Sequence, residues 1–163
     1  MIETVIEDEG WAGALDDIDA LTQACARAAM TLEPALNAEI ALLLCDDKAI
    51  QALNKRFRHK DTPTNVLAFP TGDQSGGSLG DIALARETCV REALTQNIAL
   101  RDHAAHLIIH GMLHLIGYDH GDDDEARVME GRESMILKTM GIADPYNGAQ
   151  TGDRAQGQNG QRP

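Results

Sequence analysis

Three histidines in the second half of the chain offer its densest chemistry. In the segment HGMLHLIGYDH, His110 and His114 stand four residues apart and His120 follows six residues later. On a helix the first pair is separated by about 40° around the axis and about 6 Å along it, so two imidazoles on one face can grip one ion. Gly117 can adopt a positive φ that breaks the helix, and the turned chain can bring His120 back to that ion. Three neutral imidazoles with a fourth position open to water are the donor set of catalytic rather than structural zinc. One zinc ion per chain is therefore expected on His110, His114 and His120, where it would lower the pKa of a bound water toward neutrality.

The spacing HxxxHxxGxxH is that of the metzincins, with Gly111 in place of their glutamate. In zinc peptidases that carboxylate takes a proton from the water and passes it to the leaving amine, which glycine cannot do. Peptide hydrolysis is disfavoured on this ground. A phosphodiester of RNA fits better, because its leaving oxygen is less basic and its attacking group can lie within the substrate itself. Around the triplet, Asp119 is expected to orient the neighbouring ligand His120. The acidic run Asp122–Glu125 is expected to open a helix, where acids oppose the dipole, and Met129 to be a core residue. His106 lies about 12 Å along the axis from His114, too far to share one ion, and is expected to be a hydrogen-bonded core histidine. His103, near the helix start, is expected to be exposed.

A second cluster precedes the first half's end. Residues 55–60 read KRFRHK, so Lys55, Arg56, Arg58 and Lys60 gather around Phe57 just ahead of an apolar strand. The whole chain holds 14 basic against 26 acidic residues, a net charge of −12. That balance argues against a general nucleic-acid coat or an anionic-membrane binder and leaves room for a local basic groove. The cluster has the electrostatics of a phosphate-contacting loop, or alternatively of a solvated helix end.

The elements that must hold these groups follow from periodicity. Alternation over Ile2–Ile6 predicts a first strand, and Ile18, Leu21, Cys25, Ala28 and Leu32 a helix opened by Asp16 and Asp17. Glu39–Cys45 reads as a buried strand, with a short helix through Ile50 and Leu53 behind Asp46 and Asp47. Asn65–Phe69 and Asp81–Ala85 complete four strands, separated by the loop TGDQSGGSLG. Helices near 86–96, 99–117 and 123–140 follow. The order βαβαββααα predicts one α+β domain over residues 1–146, with a four-stranded mixed sheet and about five helices. Cys25, Cys45 and Cys89 are odd in number and far apart, so they read as reduced core thiols of a cytoplasmic protein. No stretch is long and apolar enough for a bilayer span and the start lacks a secretory pattern, so no membrane is expected. From 147 to 163 the chain is rich in Gly, Gln and Asn with no Val, Ile, Leu or aromatic residue, which predicts a disordered tail.

HGMLHLIGYDH, FRHKDTPTNVLAFP (57–70), LGDIALA (79–85) and MGIADPY (140–146) together resemble the YbeY family of bacterial metal-dependent endoribonucleases. The resemblance runs in order over most of residues 1–146. It implies a zinc-binding helix carrying His110, His114 and His120, and matches the family's arginine before the strand motif to Arg58. The residues expected to carry the reaction are thus Arg58 and His114. The implied activity is cleavage of single-stranded RNA, in maturation of the 16S rRNA 3′ end and ribosome quality control. Implied partners are the small ribosomal subunit, one of its proteins and a ribosome-assembly GTPase. Asn65 and Ala68 stand where the family usually has Asp and Ser. A zinc-containing assembly factor that binds rRNA without cutting it is the rival reading, with a zinc peptidase a distant third.

Overall fold

The computed structural model describes residues 1–71 and 77–146. The 147–163 tail lies outside them. Four strands form one mixed sheet in the order β1-β2-β4-β3, where β1 is Ile2–Ile6, β2 Glu39–Cys45, β3 Val66–Pro70 and β4 Ser78–Ala85. β1, β2 and β4 run parallel; β3 is antiparallel to β4 and closes one edge. The helices are α1 (Gly10–Ala14), α2 (Ile18–Leu32), α3 (Asp47–Arg58), α4 (Arg86–Gln96), α5 (Leu100–Leu115) and α6 (Asp123–Thr139). No described helix is long and apolar enough to cross a membrane.

The α+β class and the mixed sheet are as the periodicity predicts. α1 is an addition: five residues are too few to show a period, and what fixes them is Trp11, fully buried with its indole N–H donating to the Cys45 carbonyl at 2.9 Å. β4 begins three residues before the predicted Asp81, because Ser78 and Gly80 pair with Glu39 and Ile40 of β2. α3 runs on to Arg58, so Lys55, Arg56 and Arg58 form its last turn, where cations suit the helix dipole. The basic cluster is therefore a helix end and not a loop.

α2, α5 and α6 supply the main core on one face of the sheet, with Ile40, Leu42, Leu44, Ile82 and Leu84. α3 covers the other face through Ile50, against Cys45, Leu67, Ala83 and Ala85. α5 is the central helix: eleven of its sixteen residues are buried, apolar nearly all round, as a helix enclosed by neighbours must be. The three cysteines are buried and unbridged, and burial pushes the Cys25 and Cys45 thiols up to about 12.

Gly111 sits where α5 comes nearest to β4. A Cβ there would lie 2.8 Å from Ile82 Cγ2, and Ile82 is itself fully buried. Gly111→Ala gains helix propensity of about 1 kcal/mol and meets an overpacked contact worth about 1–3 kcal/mol. A lower urea midpoint is the expected net result; a raised midpoint would show that the helix can back away from the sheet at no cost.

Candidate metal centre

Because α5 is buried along its length, its polar residues each need a partner, and its histidines find theirs at successive turns. His103 is buried, 2% exposed, with Nε2 2.7 Å from Glu92 Oε1 on α4. The expectation that it is exposed is wrong: α4 packs over the start of α5 and brings Glu92 to it. The Asn65 amide also donates to Glu92, at 3.0 Å. An aspartate at position 65 would set two carboxylates against each other, so the amide suits its neighbour. His106 is a hydrogen-bonded histidine, as read, with Nε2 3.0 Å from both Glu133 Oε1 and the Tyr146 hydroxyl.

His110 is held from behind. Its Nδ1 is 2.5 Å from Oε2 of Glu133, which is wholly buried on α6, while the other oxygen of that carboxylate accepts from Tyr146. Burial alone would raise the Glu133 pKa, but its close contacts with His110 and His106 hold it well below the ordinary carboxylate range. A proton on Nδ1 facing Glu133 leaves Nε2 as the lone-pair nitrogen. That nitrogen points at His114, whose Nε2 is 3.1 Å away.

The chain then turns. Gly117 has φ +104°, a conformation costly for any residue with a Cβ, and the Tyr118 N–H caps the helix on the Leu113 carbonyl. Tyr118 donates its hydroxyl to Glu33, which ends α2, at 2.6 Å, and Arg132 of α6 meets the same oxygen at 2.9 Å. This latch fixes the loop, and Asp119 Oδ1 accepts from the His120 backbone N–H at 2.8 Å. His120 is thereby returned to the helix end, its ring stacked 5.6 Å from that of His110 and edge-on to that of His114 at 4.8 Å. Asp122 caps α6 by accepting from the Glu125 N–H, and Met129 is a fully buried core residue.

The donor atoms of His110, His114 and His120 all lie within 4.8 Å of one another. Nitrogens about 2.1 Å from a tetrahedral ion are about 3.4 Å apart, so the cluster fits one ion with small side-chain adjustments. Burial, with His110 and His120 close by, pushes His114 down to about 3, which keeps its imidazole neutral as a ligand must be. Arg58 belongs to a different element. Its Nη2 donates to the Ala68 carbonyl at 2.8 Å and its guanidinium lies 5.7 Å from the Phe69 ring centre, which fastens it to β3, the strand that packs on α5.

Glu133 and Glu92 escape a motif search, and Tyr146 ends the motif MGIADPY without any role being read for it. The signal for Glu133 is positional: it falls on the stripe of α6 that buries Met129, Ile136 and Leu137, where an acid needs a partner. Glu92 stands likewise between buried Cys89 and Ala93 on α4.

Known proteins resemble this chain in sequence and in fold. The family model described as Endoribonuclease YbeY matches residues 6–141. A protein of Azorhizobium caulinodans named Endoribonuclease YbeY is 46% identical over 152 residues, covering 89% of this chain and 95% of its own length. One of the same name from Rhizorhabdus wittichii is 44% identical over 164 residues, covering 90% of this chain and 97% of its own. A Thermotoga maritima protein solved in solution superposes with a TM-score of 0.62 over 99% of this chain and 100% of that one; at 22% identity it speaks for the fold alone. A family match over most of the chain, on relatives of nearly its own length, leaves one conclusion: the chain belongs to the YbeY family of endoribonucleases.

Proposed function

We propose that residues 1–146 form a zinc-dependent endoribonuclease that cuts single-stranded RNA, in 16S rRNA 3′-end maturation and ribosome quality control. The observation that carries this reading is the convergence of His110, His114 and His120 at the end of a buried helix, in a chain of this family. A zinc ion held by the three imidazoles supplies Lewis acidity to a scissile phosphate and to a water. Glu133 orients His110, and the Glu33 latch on Tyr118 orients the loop bearing His120. Arg58, pinned on β3, offers its remaining N–H groups to the non-bridging phosphate oxygens as negative charge builds there. His114 completes the ligand set from the more open side of the helix. The small ribosomal subunit, one of its proteins and an assembly GTPase are the partners this role calls for in the cytoplasm.

The test is a gel. Zinc-loaded protein incubated with end-labelled single-stranded RNA is expected to give discrete products, absent with His114→Ala prepared in parallel. Equal cutting by both would assign the activity to a contaminant. Tight binding without cutting would instead favour the assembly-factor reading.

Glu133 gives a second check, independent of turnover. Glutamine keeps the size of the side chain but has one acceptor oxygen where two bonds to histidines now exist. Glu133→Gln is expected to weaken zinc binding by roughly 10- to 100-fold in competition with a chelator, with circular dichroism confirming the fold. Unchanged affinity would reduce Glu133 to a core residue.

A further inference from the structure

We propose that Phe57 is a stacking platform for a nucleobase of the bound single-stranded RNA. The proposal rests on the endoribonuclease reading and adds to it a residue that grips the substrate without touching the metal.

Phe57 lies in the last turn of α3 and is 52% exposed, an unusual position for a phenylalanine that the core could have taken. Its ring is not loose. It meets Phe69 of β3 with centres 5.3 Å apart at 60°, an edge contact that leaves ring surface open to solvent. The Arg56 guanidinium lies 5.1 Å from its centre, and Arg58 lies over Phe69. Two aromatic rings and two guanidiniums thus form one patch at the end of α3 and the outer strand of the sheet. Lys55 and Lys60 widen its positive field, in a chain whose net charge is −12.

That composition selects the ligand. A protein partner would call for a continuous apolar surface with few charges at its centre. Four cations in six positions around one exposed ring match alternating phosphates and bases: the cations track the backbone, and the ring offers a face to whichever base arrives. The patch lies on the α3 face of the sheet and α5 packs on the other, with the outer strand β3 touched by both: Phe57 meets Phe69, and α5 packs on the strand. Near the end of β3, a side chain added at Gly80 would meet both the Phe69 carbonyl and the Leu115 side chain, the residue after His114.

The test is binding, measured apart from cleavage. A single-stranded RNA with 2′-O-methyl sugars and one 2-aminopurine is titrated with the zinc-loaded protein at several salt concentrations. Phe57→Leu is expected to weaken binding by about tenfold, to keep the wild-type salt slope, and to lose the quenching that a stacked 2-aminopurine shows. Phe57→Trp is expected to restore both affinity and quenching. Lys55→Ala is the contrast, with a shallower salt slope and quenching intact. Wild-type affinity in Phe57→Leu, or quenching that survives it, would overturn the platform and leave the ring as a surface for a protein partner. A wild-type protein that binds and quenches but cuts no unmodified RNA would sink the nuclease reading while the platform stood.

Discussion

Alanine at position 114 is expected to leave the fold standing while removing most of the zinc and bringing RNA cleavage down to background. The side chain sits half-buried near the last turn of α5, and alanine is the best helix former, so the helix has little to lose. The ion loses a third of its protein ligands, the one whose Nε2 lies 3.1 Å from that of His110. Two imidazoles in a partly open site bind zinc far more weakly than three. Elemental analysis after dialysis is the direct measurement, and a zinc-dependent rise in melting temperature in the wild type alone is the corroborating one. Equal zinc in both proteins would sink the ligand assignment.

Arg58→Ala is expected to keep both fold and zinc and to lower single-turnover cleavage by on the order of a hundredfold or more. The guanidinium spends one donor on the Ala68 carbonyl, and that bond fixes the direction of the rest. A donor held in place strengthens its contact as charge develops on phosphate, without reorganising. Arg58→Lys is expected to recover only part of the rate, since an ammonium cannot hold the carbonyl and a phosphate in the same planar fork. Lys55, Arg56 and Lys60 are expected to act through affinity, so their loss flattens the salt dependence of binding. Unchanged single-turnover cleavage in Arg58→Ala, with no more loss of affinity than Lys55→Ala shows, would make Arg58 one more cation in the cluster.

What the sequence made legible follows its periods. α2 and α6 announce themselves through their capping acids, β2 and α5 through long apolar runs, and the histidine triplet through a helical interval followed by a glycine. The errors share one cause, the absence of the partner from the local text. His103 reads as a helix-start residue until Glu92 is placed against it. β4 reads as starting at Asp81 until β2 is laid beside it, and α3 reads as short because polar last turns carry no apolar signal. Glu133 is the most instructive. Nothing in its neighbours marks an acid that serves two histidines, yet its place on a buried stripe was visible as a conflict between residue type and position.

The close contact of Gly111 with Ile82 also bears on how this fold can change its trade. Placing the peptidase glutamate at position 111 would bring a Cβ to 2.8 Å from Ile82, so that mutant is expected to lose stability before it gains any proteolysis. Trimming Ile82 first makes the room but opens a cavity, at a cost of about 2–5 kcal/mol, a large share of what holds a domain of this size together. Each single step descends before the pair can rise. A lineage built on this packing is therefore isolated from its metzincin look-alikes by a stability valley two mutations wide, although the three histidines are already in place.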